Sequence, residues 1–353
     1  MPPNRAAFLV RKHAPLVVKD APYPTPGDNE LVIKNAAVAM NPYEWAIQEA
    51  HNFVVPWVKL PGIIGTDVAG EVVAVGKSVT RFRPGDRVLG HAIGLAKRIN
   101  RPAEAAFQHY TVLRPDMTAT IPSSMTYDHA AVIPLGISTA ACALFEKDFL
   151  NLPYPTANPK PTGKTVLVWG GSSSVGSNAI QLAVAAGYEV ISTASPKNHA
   201  MLKKLGAAEV FDYRSPTVVR DIVAAFKGRT SAGAISIGVG SLKACTEVLG
   251  QVKGVKFIAQ ASFDMTYFPK GTLELPGFMA SMVGGMIAAN ISDLYFSDVG
   301  KAIYNDFLPR ALAGGQYVAA PDPEIVGHGL EVIQGAMMQQ KKGVSAEKLV
   351  VTL

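Results

Sequence analysis

At 353 residues, 48% hydrophobic and 17% charged, the chain exceeds what one small core requires, so two domains of a soluble globular protein are expected and a disordered chain is excluded. The net charge of +6 is spread without a Lys/Arg run or a basic aromatic stripe, which argues against nucleic acid as a partner and mildly for anionic ligands. Two cysteines, Cys142 and Cys245, exclude a disulfide framework and a four-cysteine zinc lobe and fit a reducing, cytoplasmic setting.

The opening is read as all β. Strands are expected at Ala6–Val10, Leu16–Lys19 and Leu31–Ala39, the last two separated by a Pro/Gly-rich turn. The stretch Met1–Pro15, with charges flanking its short apolar run on both sides, is not expected to act as a signal-peptide core. Asn41-Pro42-Tyr43-Glu44-Trp45 starts a short helix, and the aromatics through Phe53 and Trp57 either line a ligand pocket or pack the core. Helix follows over Thr126–Phe149, and the Pro-rich Leu152–Gly163 stretch reads as a surface loop.

Thr165–Trp169 is a short apolar, β-branched run without helical period, as expected of a parallel strand buried on both faces. Gly170, Gly171, Ser172, Ser173, Ser174, Val175 and Gly176 follow, and then small apolar residues recur at helical spacing until Gly187. Strand, tight turn and helix in this order let backbone N–H groups approach a pyrophosphate at the positive end of a helix. A purely structural strand-to-helix turn is the competing reading. Ser173 stands where the dinucleotide fingerprint has its close-approach glycine, so the expected variation is either a pyrophosphate slightly farther out or a hydroxyl contact from Ser173 or Ser174.

The next strand, Glu189–Thr193, leads into Ser195, Pro196, Lys197 and Asn198, where an adenosine ribose would lie. A carboxylate there would favour a free 2′-OH; these donors and a positive charge favour a 2′-phosphate, hence NADPH over NADH. The competing reading is a solvated turn capping the helix Ala200–Leu205. Further strands are expected at Glu209–Tyr213, Ala234–Ile237 and Val255–Ala259, with Gly238, Val239 and the Gln260-Ala261-Ser262 segment at the C-terminal ends where such sheets bind ligands and a nicotinamide ribose or amide could sit. Tyr267–Pro276 reads as a substrate-side loop, and Phe278–Ile291, the most membrane-like segment, is too short to span a bilayer. A helix at Val299–Leu312, a strand at Tyr317–Ala319, a helix ending at Lys341-Lys342-Gly343 and a strand at Leu349–Leu353 close the chain.

Several of these stretches carry a family resemblance. Gly65-Thr66-Asp67-Val68-Ala69-Gly70 through Gly76, the Pro84-Gly85-Asp86-Arg87-Val88 turn, Ala106–Val112 and Pro134–Ala140 resemble, in order, landmarks of the medium-chain dehydrogenase/reductase superfamily. The glycine turn, the Ser195–Asn198 segment and the closing Gly343–Val351 are most similar to fungal trans-acting enoyl reductases and quinone-reductase-like proteins, whose domain is often named for zinc-binding alcohol dehydrogenase. The resemblance implies an α/β architecture, a doubly wound parallel Rossmann sheet (residues 128–292) plus a mostly β GroES-like catalytic domain (1–127) to which residues 293–353 return. It also implies a tyrosine, here Tyr213, near the adenine or 2′-phosphate, Lys348 on the cofactor pyrophosphate, Thr139 at the nicotinamide, and a homodimer paired through Phe278–Ile287. Core packing is the competing reading for Tyr213 and Thr139, and a solvated lysine for Lys348.

Catalytic zinc in the alcohol-dehydrogenase branch needs thiolate and imidazole ligands from three places. Here Met40-Asn41 stands at the first, Thr66 at the second and Leu135 at the third, so no metal is expected. Without a Lewis acid, simple alcohol oxidation loses a main stabiliser, and hydride transfer from NADPH to an activated C=C bond or a quinone, a small-molecule substrate, is the expected chemistry. Relatives commonly carry a Lys or Tyr donor where Ala46 stands here, which leaves Tyr43, Trp45, Thr139 or a water to supply the proton. An aldehyde or ketone reductase and a non-catalytic NADPH-binding sensor or structural protein are the alternatives.

Overall fold

The structure, a computed structural model, describes residues 3–261 and 294–353, and the backbone of 280–282. The chain divides into two units, residues 1–135 with 291–353 and residues 136–290.

The first unit begins with β1 (Asn4–Leu9), β2 (Leu16–Ala21) and β3 (Leu31–Ala39), then α1 (Pro42–Val54), β4 (Gly62–Ile63), β5 (Asp67–Val75), β6 (Arg87–His91), β7 (Tyr110–Leu113), β8 (Thr118–Thr120) and α2 (Tyr127–Ala131). The expected long helix is broken: α3 (Pro134–Phe145) starts afresh at a proline, which disfavours helical geometry in the residue before it. By composition Tyr127–Phe145 is long and apolar enough to cross a membrane, yet 89% of its most apolar window is buried inside the protein, as in a core helix.

The second unit alternates strand and helix: β9 (Thr165–Trp169), α4 (Ser174–Ala185), β10 (Glu189–Thr193), α5 (His199–Lys204), β11 (Glu209–Phe211), α6 (Val218–Ala225), β12 (Ser231–Ser236), α7 (Ser241–Gln251), β13 (Ile258–Gln260) and β14 (Ala280–Met282). All pairings are parallel, in the order β11-β10-β9-β12-β13-β14, the arrangement of a doubly wound dinucleotide-binding sheet. Every residue of β9 is buried, which is why its sequence is continuously apolar. Among the described residues β14 is the last strand of this sheet; the rest of the segment expected to pair two copies, and the loop Tyr267–Pro276, lie outside the described residues.

After residue 294 the chain completes the first unit. The strand expected at Tyr317–Ala319 does not form, and Tyr317 is instead fully buried. The strand there is β15 (Asp322–His328), which pairs in parallel with β16 (Glu347–Thr352) at the end of the sheet β15-β16-β3-β5-β6-β8, with β7 also on β3. An edge position tolerates the missing N–H of Pro323. β16 runs antiparallel to β3, Val350 opposite Ala39, and Met40 N–H donates to Leu349 O at 2.9 Å. This register brings Lys348 beside Asn41.

Candidate functional site

In the second unit, Gly170 turns the chain out of β9 with φ of 87°. A Cβ on Gly171 would fall 2.1 Å from Ser192 Oγ, and one on Gly176 would fall 2.3 Å from Gly170 O, so turn, strand and helix approach this closely only with glycine at both positions. Ser173 is the N-cap of α4: its Oγ accepts from Gly176 N–H at 3.1 Å and donates to Gly170 O at 2.8 Å. That hydroxyl is thereby committed to the turn. Ser174 Oγ, by contrast, is buried and has no hydrogen-bond partner among the described residues. Helix geometry leaves the first-turn N–H groups without intrahelical acceptors, so Ser174 and Val175 direct donors and the positive helix end outward from the turn.

Beside it, Ser195–Asn198 forms a tight turn after β10, with Lys197 exposed and Ser195 and Asn198 half-buried. It meets the end of β11, since Ala194 N–H donates to Phe211 O at 3.0 Å. There Tyr213 is 46% exposed, which removes the core-packing reading, and the Arg214 guanidinium lies 5.7 Å from its ring centre while pairing with Asp212. Arg214 was not singled out from sequence; its position next to Tyr213 at a strand end was the available signal. Further along the sheet edge, Gly238 (φ 99°) and Gly240 (φ 78°) flank Val239, which is 78% exposed, ahead of α7. Thr139 is buried in α3. These features fit a dinucleotide: a glycine cradle at a helix N-terminus, and a neighbouring corner carrying hydroxyl, amide and cationic groups, with the Asp212 carboxylate paired to Arg214.

The first unit holds a buried polar network that includes Asn41, Thr66 and Leu135, the three positions that the resemblance assigns to zinc ligands. Asp67 Oδ1 accepts from Leu135 N–H at 2.5 Å, and its Oδ2 accepts from Asn41 Nδ2 at 2.9 Å and from Lys348 Nζ at 2.8 Å. Lys348 Nζ also donates to Asn41 Oδ1. Glu44 accepts from Asn41 N–H and Thr66 Oγ, both at 2.7 Å, the former closing the capping box that starts α1. Burial pushes the Glu44 carboxyl up to about 7, aided by the Asp67 charge and opposed by its hydrogen bonds from Thr66 and Asn41 and by Lys348. His91, opposite Asp67 in the β5/β6 register, is pushed down to about 4 by burial and is neutral. Among the described residues no group of three or more His, Cys, Asp or Glu is arranged to hold a metal ion.

Two expected roles change. Lys348, placed on the pyrophosphate by resemblance, is 4% exposed, with its ammonium bonded to Asp67 and Asn41 inside the first unit. Trp45, a candidate proton donor, gives its single N–H to Gln340 Oε1 at 2.5 Å, tying α1 to the helix Ile333–Lys341. Tyr43 is half-buried against the core, and burial, with the Glu44 charge second, pushes its phenol above the ordinary range, so it keeps its proton at neutral pH. Met40-Asn41, Thr66 and Leu135 were visible in the sequence as residues in place of ligands, Glu44 only as part of a helix start and Asp67 only within the Gly65–Gly70 stretch, and none of them as members of one bonded set.

With this geometry in hand, comparison with known proteins is decisive for the family. Residues 27–123 match the alcohol dehydrogenase GroES-like domain. The chain is 54% identical to Dehydrogenase pigH of Monascus ruber over 100% of both proteins, and 42% identical to Trans-enoyl reductase himH of Aspergillus japonicus over 92% of this chain and 90% of that protein. A crystal structure of an alcohol dehydrogenase superfamily protein from Novosphingobium aromaticivorans matches with a TM-score of 0.79 at 22% identity, covering 99% of each chain. The chain belongs to the medium-chain dehydrogenase/reductase superfamily and is an oxidoreductase with a GroES-like domain and a Rossmann domain. The family uses a nicotinamide dinucleotide.

Proposed function

We propose that the protein is a zinc-independent, NADPH-dependent reductase of an activated C=C bond, of the enoyl or quinone reductase type. The observation that carries this reading is the Lys348 ammonium, bonded to Asp67 and Asn41 where zinc-dependent relatives assemble a metal. A fixed cation already neutralises Asp67, and Asn41, Thr66 and Leu135 provide neither thiolate nor imidazole. The similarity to a trans-enoyl reductase over most of the chain supports the reaction class.

When bound, the dinucleotide supplies a hydride. The chain's residues do the rest. Gly170–Gly176 and the start of α4 bind the pyrophosphate. Ser195, Lys197, Asn198 and Tyr213 receive the 2′-phosphate, and Gly238 and Val239 border the nicotinamide half. The Tyr43 phenol, protonated at neutral pH, is the donor that remains in the first unit once Trp45 is committed to Gln340.

Purified protein incubated with NADPH and a panel of enones, enoyl thioesters, quinones and aldehydes tests the reading. Saturation of the C=C bond, unaffected by chelators, is expected, and Tyr43→Phe should slow it. Stoichiometric zinc whose removal abolishes turnover, or an alcohol as sole product, would overturn the reading; no NADPH oxidation on any substrate would leave a binding protein.

A further inference from the structure

Besides Ser174 Oγ at the start of α4, the buried polar side-chain atoms of the second unit that lack partners among the described residues belong to two neighbouring strand ends, Ser236 and Gln260. Ser236 ends β12 and Gln260 ends β13, and the two are register partners, so their side chains leave the same face of the parallel sheet. Two residues earlier on each strand, on that same face, Ala234 and Ile258 belong to the core formed with Trp169 and Leu242. Ser236 and Gln260 therefore sit where that apolar layer stops, at the C-terminal edge. Ser236 is 0% and Gln260 1% exposed, yet Ser236 Oγ and both Oε1 and Nε2 of Gln260 have no hydrogen-bond partner among the described residues. A buried primary amide with neither end satisfied is rare, because each unmade bond forfeits solvation without return.

The order of strands says what completes it. The glycine turn follows β9, and the hydroxyl and cationic corner lies on one side of it, at β10 and β11. β12 and β13 lie on the other side. A dinucleotide with its pyrophosphate at the turn and its 2′-phosphate at the β10/β11 corner extends its other half toward Ser236 and Gln260. Gln260 presents a donor and an acceptor together, which suits a neutral carboxamide and not an anion, whose oxygens would meet Oε1.

We infer that the Gln260 amide, with the Ser236 hydroxyl beside it, recognises the nicotinamide carboxamide by a reciprocal amide pair, and so sets the orientation of the ring. This rests on the cofactor reading of the same sheet edge.

Binding, measured by isothermal titration calorimetry without substrate, tests the assignment. NADPH is compared with 2′-phospho-ADP-ribose, which lacks the nicotinamide, in wild type, Gln260→Met and Ser236→Ala. Gln260→Met is expected to weaken NADPH about tenfold, the scale of one or two hydrogen bonds, while leaving 2′-phospho-ADP-ribose unchanged. Replacing an orphaned amide with a side chain of similar length should also raise the melting temperature of the free protein, which separates the effect from misfolding. In the wild type, the 3-acetylpyridine analogue of NADP should bind more weakly than NADP, and Gln260→Met should erase that preference. Unchanged NADPH affinity in Gln260→Met, as expected if Gln260 holds only a water, overturns the assignment, as does equal weakening of both ligands. If the wild type binds 2′-phospho-ADP-ribose no more tightly than ADP-ribose, the 2′-phosphate reading fails alone, and the same comparison with NADH and ADP-ribose decides the role of Gln260. Binding of neither dinucleotide overturns both.

Discussion

Each unit buries a set of polar side chains, and the two sets are in opposite states. In the first, the side-chain nitrogen and oxygen atoms of Asn41, Glu44, Thr66, Asp67 and Lys348 are all hydrogen-bonded to one another or to backbone. In the second, Ser236 and Gln260 are equally buried and bonded to nothing among the described residues. A satisfied network holds a fold together, whereas an unsatisfied pair costs stability in the free protein and recovers it when a matching group arrives. Substitutions in the first set should therefore act on stability, and substitutions along the dinucleotide edge of the second unit on ligand affinity.

The largest effect is expected at Lys348. Lys348→Met leaves the Asp67 carboxylate buried without its cation, a loss of about 3–5 kcal/mol, visible as a lower midpoint in urea unfolding. Lys348→Met combined with Asp67→Asn removes the stranded charge and should recover a large part of that loss. A single substitution costing less than about 1 kcal/mol would show that the pair is not what fastens β16 to β3.

Glu44 gives the network a pH dependence. Its carboxyl is raised to about 7 in the folded chain, above its ordinary value of 4.5. Between these values the folded state binds the proton that the unfolded state has released, so stability falls as pH rises from about 4.5 through about 7. With one proton on Glu44, the two carboxylates and one ammonium form a neutral set; without it, one negative charge is left buried. Glu44→Gln should flatten that slope, on the order of 3 kcal/mol across the window, in unfolding measured at fixed pH steps. An unchanged slope would place the titration elsewhere.

How much of this was legible in sequence depends on the range of the contacts. β3, β9 and β10 have the expected bounds because each is an apolar run cut off by turn residues, a signal contained within a few residues. β15 was missed because Asp322–His328 carries a proline and a poorly alternating, half-exposed pattern, and it is a strand only because β16 lies beside it. Lys348 and Asn41 are separated by 307 positions, so their bond follows from the β3/β16 register and not from any local pattern. The resemblance put Lys348 on the cofactor pyrophosphate, whereas its ammonium is bonded to Asp67 and Asn41. Gln260 reads in sequence as part of a strand end where a nicotinamide ribose or amide could sit, and only the structure shows that it is buried with no partner among the described residues.

On the second unit the expected effects shift from stability to binding. Lys197 is exposed and its side chain makes no ion pair among the described residues, so Lys197→Ala should leave the unfolding midpoint unchanged. It should weaken NADPH about tenfold, the scale of one solvent-exposed charge-assisted hydrogen bond, with NADH affected far less. Equal losses for both cofactors in a binding titration would take the 2′-phosphate away from Lys197.

Ser173 is the place where the two behaviours meet, because it lies in the dinucleotide turn but is bonded like a member of the closed network. Its hydroxyl caps α4 through Gly176 N–H and also returns to Gly170 O. Ser173→Ala should therefore cost about 1 kcal/mol of stability, the usual value of an N-cap, while Ser173→Gly should cost only a few tenths. If capping is its whole role, NADPH affinity will follow stability in neither variant. A hydroxyl that instead reached the pyrophosphate would make both variants lose affinity alike, since each lacks the oxygen. The comparison of Ala with Gly at this one position thus separates a residue that shapes the turn from one that touches what the turn holds.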